Sequence, residues 1–456
     1  EIADNSRLNL FNLRGHYRFD ERDELMFQLR AGVGQTQTGG VVSRGFYNIN
    51  IGPGQFDPVR QRDSEQEIVQ LRWTRADSVD DEFWLQVYHH QQRSREPYDV
   101  MLPLPGGGGM PYHYLQDRDQ VRDDIEFQRA FRLGETFRVV SGGQWRADSA
   151  RSVAMLNRQG WVNNRLGRLF GNLEMRPGEA LTLQGGLMLE NNSISGTSLS
   201  PRLAGTYFIA PEQSLRVGIS RANRAPTINE ESGSLVYHPP PALLWLTQGR
   251  SLATLAMSSG GLRDERILSR EIGYTAEFPQ WRAGGDFRWF NDRIERLITL
   301  NLTHPVVTMT NNMAWDYANS AEAVNVRGVE MGAHWQPWSG AMLQGTASHT
   351  RIDTALQGGS QSAPRTTWSL LFQQALPEEV NFSLAYYRTA SMQWQSSPDV
   401  LPAYEALDLR LAKRFRWRDQ SLEVAWVTRN ALGSYASYKT DVVDNRVSYV
   451  QLNWAF

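Results

Sequence analysis

Apolar and polar residues alternate with period two along almost the whole chain. In FNLRGHYRF, Phe11, Leu13, Tyr17 and Phe19 alternate with Asn12, Arg14, His16 and Arg18. After DERDE, Leu25, Phe27, Leu29 and Val33 stand opposite Gln28 and Arg30. FWLQVYHH sets Phe83, Leu85 and Val87 against Gln86, Tyr88 and His90, and LTLQGGLMLE sets Leu181, Leu183, Leu187 and Leu189 against Thr182, Gln184 and Glu190. Successive strand side chains point to opposite faces, so each stretch reads as a two-faced β-strand. In LDLRLAKRF, Leu407, Leu409 and Leu411 oppose Asp408 and Arg410, while Lys413 falls out of step and predicts a bulge at the strand end. The strand VSYVQLNWAF continues the pattern, with Val450, Leu452, Trp454 and Phe456 on one face.

The pattern predicts nineteen strands, the first ten centred in 7–19, 24–36, 65–76, 82–93, 119–132, 135–148, 164–175, 180–192, 198–209 and 214–222. The others are centred in 265–278, 281–293, 322–335, 340–352, 365–376, 379–390, 403–416, 421–430 and 445–456. A soluble sandwich or propeller would also alternate. The connections argue otherwise, because they are short and long in turn. Turns such as DERDE, DSVDDE, LGE, MRPGEA, APEQS and ALPEE alternate with polar or Pro/Gly-rich loops at 39–62, 94–118, 222–263, 294–318 and 431–444. Transmembrane barrels have this asymmetry, with short periplasmic turns and long outer loops. The expected fold is therefore all-β, an antiparallel transmembrane β-barrel.

Composition fits a barrel. At 456 residues the chain is too long for one ordinary globular core. No run of eighteen apolar residues is present, so helical spans are excluded. Fifteen Trp recur near strand ends, as interfacial girdles require. The net charge of −2 gives no electrostatic case for nucleic acid. Cys is absent, and the basic residues are Arg except Lys413 and Lys439.

Three segments resemble the barrel portion of TonB-dependent outer-membrane receptors. SPRLAGTYFIAPEQSLRVGISRANRAPTINE (Ser200 to Glu230) is similar to the family's strand, turn and strand running into an R-APT-NE loop start. GGLRDERILSREIGYTAEF (Gly260 to Phe278) resembles its L-PE-…-E-GY strand, and FRWFNDRIERLI with NVRGVEMGAHWQP (Asn325 to Pro337) its N-RI-LI … N-RGVE pair. The resemblance covers nearly the whole chain. It implies a plugged barrel of 22 strands, of which about nineteen are visible here. It also implies energised uptake of a ferric siderophore or similar scarce nutrient in the outer membrane of a Gram-negative bacterium. The implied partners are outer-membrane lipid and lipopolysaccharide, the TonB energy-coupling complex through a plug not in this chain, and the barrel assembly machinery. A small-molecule ligand, such as a metal chelate, completes the set. The terminal strand, with Phe456 and Trp454, is implied as the assembly signal. A passive porin-like channel is the alternative function, and an outer-membrane enzyme the third.

Strand direction adds an expectation. The first strand descends to the periplasmic turn DERDE, and so does the last, so 8–19 and 446–456 should not form a direct antiparallel ladder. An odd number of strands, and the plug, are then expected ahead of residue 1, with residues 1–456 forming one barrel domain.

Candidate chemistry is sparse. No HExxH or comparable spacing occurs among the eight His, and His89 and His90 face opposite sides of a strand, so no metal site is expected. No cofactor and no catalytic residue are expected, since no Ser/His/Asp or paired-carboxylate arrangement stands out. PLPGGGGMPYHY lacks the Lys-Ser/Thr of a phosphate loop and reads as an outer loop whose Tyr112, His113 and Tyr114 could meet ligand. In the apolar loop SLVYHPPPALLWLTQGRSLATL, Tyr237, His238, Trp245 and Arg250 suit a bulky anionic chelate, with self-packing of the loop as the alternative. Arg14, Arg18, Arg30 and Arg72 are expected to face the lumen. They would pair there with carboxylates of the wall or plug, or else form a substrate ladder.

Overall fold

The computed structural model describes residues 5–38, 59–103, 109–241, 244–245, 247–309, 311–394, 399–418, 420–437, 440 and 443–455. All nineteen expected strands form and lie in one sheet. Each pairs antiparallel with the next in the chain, from Ser6–Arg18 beside Asp23–Thr38 to Gln420–Arg429 beside Val447–Ala455. This up-and-down order is that of an antiparallel β-barrel.

The alternation sets which side faces lipid. Leu71 lies opposite Val87, and Val87 opposite Ile125. These three are 46%, 46% and 44% exposed, and Leu187 is 51% exposed. A soluble sandwich would bury such a row. Here it forms the outer surface of the wall. The other face is polar and cross-linked: Gln70 donates to Gln86 at 2.7 Å, and Arg288 bridges Glu271 and Glu330, each at 3.1 Å. Aromatic rings gather at the turn end, with Trp73 and Phe83 5.7 Å apart and Phe278 and Trp281 5.4 Å apart. Trp454 lies on the outward face opposite Leu422, and Phe456 lies outside the described residues.

The short turns close tightly. Asp20 accepts from the backbone N–H groups of Arg22 and Asp23, both at 2.8 Å. Gly340 takes φ +77°, and a Cβ there would stand 2.8 Å from the Ala375 carbonyl, so both conformation and space call for glycine. At the other end some strands run on past any membrane. Arg60–Ser78 has 19 residues and Arg158–Gly178 has 21, where a span needs about 9–11. The expected strands at 65–76 and 164–175 were short at this end, because outside lipid both faces are polar and the alternation fades.

Three further findings correct or extend the sequence reading. Lys413 makes no bulge, since its strand Tyr404–Trp417 keeps unbroken register on both sides. It lies in phase with Leu409 and Leu411 on the outward face and reaches Glu378 in the adjoining turn at 2.9 Å. The outer connections carry structure of their own. Pro97–Pro103 and Gly109–Leu115 form a hairpin. Ser234–Tyr237, Ala253–Met257, Met313–Asn319 and Ile298–Pro305 join two separate connections in a four-stranded sheet. Finally, the two end strands are paired on one edge only. Ser6–Arg18 bonds to Asp23–Thr38 and Val447–Ala455 to Gln420–Arg429, and among the described residues no pairing joins them. With 19 alternating strands, the two run in the same direction.

Candidate functional site: a cationic vestibule under the outer loops

Two short helices roof the lumen at its long-loop end. Ser152 caps Val153–Leu156 by accepting from the Met155 N–H at 3.2 Å, and Asn157, at φ +50°, ends it. The segment APTINE forms the second start. Thr227 and Glu230 make a reciprocal capping box on Ile228–Ser232. Arg224 holds Glu230 at 3.0 Å and also binds Glu265. Burial opposes the Glu230 charge, but Arg224 and the Thr227 N–H outweigh it and hold its carboxyl below the ordinary range.

Beneath these helices lies a cavity of about 700 Å³. Inward side chains of successive strands line it. Arg122 and Arg146 share Asp148 at 2.6 and 3.0 Å, and Arg168 meets Glu190 at 2.6 Å. Arg118, Arg151 and Arg224 add to the lining. Its arginines outnumber its carboxylates, Asp119, Asp148 and Glu190. Each carboxylate orients guanidinium groups while leaving donors toward the cavity, an arrangement that suits a large anion. His90 also lines the cavity, with Nε2 buried and without a hydrogen-bond partner.

A buried carboxylate anchors the rim. Glu96 is fully buried and receives Arg60 and Arg62, both at 2.7 Å, with Arg118 at 3.6 Å. Desolvation acts against its charge, but the bonds from Arg62 and Arg60 prevail, so its carboxyl titrates below the ordinary range. Sequence reasoning missed this cluster. Arg60 and Arg62 lie 36 and 34 positions before Glu96 and Arg118 lies 22 after it, so no local spacing marks the cluster.

The proposed ligand contacts divide into two groups. Tyr114 and Tyr237 are 5% and 8% exposed and stack at 4.8 Å in a small core with Ala154, Leu252 and Ala253. Tyr112 packs on the edge of that core, 6.2 Å from Tyr237. Their rings are committed to holding loops together. The other four remain on the surface. His113 meets Asp99 at 2.8 Å, His238 meets Asn157 at 2.8 Å, Trp245 is 76% exposed and Arg250 is exposed. None of the seven lines the cavity. Arg14, Arg18, Arg30 and Arg72 do lie on the lumen side. Only Arg18 reaches a carboxylate, Glu24 at 3.7 Å, whereas Arg14 donates to His16 and Arg72 stacks over Trp84 at 4.3 Å. The Arg30 Nε is buried without a partner.

One Ser/His/Asp group does assemble in the loop sheet. Ser259 donates to Asp316 at 2.6 Å, and His304 Nδ1 lies 3.2 Å from Ser259 and 3.4 Å from Asp316. Serine and carboxylate share one ring nitrogen, so His304 cannot relay a proton from one to the other as a nucleophilic triad requires. Among the described residues no three His, Asp or Glu side chains converge as a metal site.

A family model of the TonB-dependent receptor-like β-barrel matches residues 5–456. The chain belongs to that family. Its members are receptor barrels of the outer membrane of Gram-negative bacteria. The ferric enterobactin receptor PirA of Pseudomonas aeruginosa is 29% identical over 167 residues, which take in 35% of this chain and 21% of that protein's length. Among solved structures, the siderophore receptor PirA of Acinetobacter baumannii superposes with a TM-score of 0.71 at 13% identity, over 99% of this chain and 71% of that one. The copper transporter OprC gives 0.71 at 12% identity, over 100% and 73%. The FrpB iron transporter of Neisseria meningitidis gives 0.69 at 13%, over 98% and 72%. At these identities the superpositions speak for the barrel fold.

Proposed function

We propose that this TonB-dependent barrel is the wall of a receptor that imports a scarce nutrient, with an anionic ferric chelate of the siderophore class as its ligand. The observation that carries the reading is the roofed vestibule, where Arg122, Arg146, Arg168 and Arg224 surround about 700 Å³ at the long-loop end. A multidentate chelate with several negative oxygens matches that volume and charge. The ferric enterobactin receptor that is similar over part of the chain supports the choice. Exposed Trp245, Arg250, His113 and His238 are the first contacts, and the vestibule the second. The unpaired edges of Ser6–Arg18 and Val447–Ala455 support completion of the barrel by further strands. A plug domain would carry the contact with the TonB complex. The barrel assembly machinery would read the closing strand, with Trp454 and Phe456.

Uptake of radioactive iron as a ferric catecholate, by cells carrying the full receptor, tests this. Arg122→Gln combined with Arg146→Gln should raise the half-saturating concentration about tenfold or more, since each removes a charge-assisted bond. Unchanged uptake would remove the vestibule from the account. Uptake of copper with no ferric chelate transport would overturn the ligand class, and steady ion conductance by the isolated receptor would favour a passive channel.

A further inference from the structure

The vestibule does not account for every cation on the lumen wall. Arg202 lies on Gly196–Ala210, opposite Gly186 on one side and Ser220 on the other. Met188 lines the vestibule and pairs with Ser200. Arg202 is the next inward residue on the Ser200 strand, two positions closer to the turn end. It therefore stands one inward step, about 7 Å, below the vestibule. Register carries the row onward, because Ser220 faces Ser269 across the next pair, and Ser269 faces Asp292.

Arg202, Ser220 and Ser269 line a recess of about 250 Å³ together with Glu271 and Arg288. Arg202 is exposed to the lumen and, among the described residues, forms no ion pair. Glu271 is the carboxylate of this lining, and it is already engaged: Arg216 and Arg288 each reach it at 3.1 Å. Gly218 gives it room, since a Cβ there would stand 3.1 Å from the Glu271 side chain. Asp292 lies outside the lining. What the recess offers is one guanidinium fork and two hydroxyls, uncommitted among the described residues. All three can donate to the oxygens of an anion.

We propose that this recess is a transit subsite, which takes one anionic arm of the imported chelate as it leaves the vestibule. The inference rests on the import reading given above. At about 250 Å³ against about 700 Å³, the recess holds an arm and not the whole ligand. A multiply charged ligand that leaves Arg122, Arg146 and Arg168 loses their attraction at once unless another cation stands within reach. Passage between adjacent sites needs binding strong enough to enter and weak enough to leave. A single guanidinium below several meets both conditions. Its planar fork makes two parallel bonds to carboxylate or catecholate oxygens, which a lysine, as a point charge, does not reproduce.

The test separates capture from passage in cells carrying the full receptor. Binding of a radioactive ferric tris-catecholate to de-energised cells gives the affinity, and uptake by energised cells gives the maximal rate. Arg202→Gln should lower the maximal rate about fivefold or more while the affinity stays within about twofold. Arg202→Lys should restore part of the rate. Ser220→Ala combined with Ser269→Ala should slow uptake in the same way but less, and carries the test if Arg202→Gln fails to fold. An unchanged maximal rate in the folded variants overturns the proposal. So does an equal loss of affinity, which would place Arg202 in capture. Steady ion conductance by isolated Arg202→Gln receptor at unchanged uptake also overturns it, and would assign the guanidinium to a plug carboxylate. Wild-type cells that neither bind nor import the ferric catecholate would bring down the import reading and this inference together. Normal wild-type import with unaffected variants brings down this inference alone.

Discussion

The wall and the crown of outer loops follow different rules. In the wall a residue's surroundings depend on its parity: Leu183 points to lipid and its neighbour Gln184 bonds Glu174 across the lumen face at 3.0 Å. In the crown they depend on partners far along the chain. Tyr114 packs on Tyr237, and Glu96 gathers Arg60, Arg62 and Arg118. The wall is held by a continuous backbone ladder, the crown by a few buried clusters. Loss of one side chain should therefore loosen the crown locally, whereas a change in the wall matters only on one face.

The largest expected effect lies in the crown. Glu96→Ala removes the buried carboxylate on which Arg60, Arg62 and Arg118 converge, and breaking such a buried pair costs about 3–5 kcal/mol. Hydrogen exchange at Pro97–Pro103 and Gly109–Leu115 should accelerate while the heat-modifiable barrel remains. Collapse of the barrel itself would erase the distinction between the two regions. Next comes Leu187→Arg, outward at the middle of the strand Leu181–Asn192, expected to cost about 2–4 kcal/mol in a folding titration. Gln184→Arg, on the lumen side, should be mild, and equal penalties would point to a soluble sandwich. Acid gives a smaller and graded effect. The Glu96 carboxyl titrates below its ordinary 4.5 in the folded chain, and Ser259 and His304 outweigh burial to hold Asp316 below its ordinary 3.8. Such groups stabilise fully above their unfolded values, and the contribution is lost as pH falls through the lower folded values. Protease sensitivity of the crown should rise below about pH 4.5 with the wall unaffected; constant sensitivity down to pH 2 would contradict it. Smallest is Arg122→Gln, a half-exposed ion pair, worth less than about 1 kcal/mol to stability. A large drop in thermal stability would make Arg122 a structural residue of the wall.

Legibility follows the same division. Period-two alternation was enough to place every wall strand, because a lipid-facing row must be apolar along its whole membrane depth. It misread Lys413, whose long stem lets a charge occupy an outward position beside a turn. The crown was nearly illegible. Aromatic content marked Tyr112, Tyr114 and Tyr237 for ligand, yet the same apolar rings build the loop core. APTINE carried a readable helix start, the Thr227–Glu230 box, but not the vestibule under it. Arg122, Arg146 and Arg168 meet only because their strands lie side by side.

The chain contains no cysteine, so single cysteines placed one at a time along Leu181–Asn192 report each position cleanly. In reconstituted receptor, a water-soluble maleimide should label Met188→Cys and Gln184→Cys and spare Leu187→Cys and Leu183→Cys. A lipid-phase quencher should show the reverse order when the same positions carry a fluorophore. Period-two alternation in both readouts is what a lipid-embedded wall with a polar lumen predicts. Uniform labelling along the strand, or shielding of both faces, would contradict it.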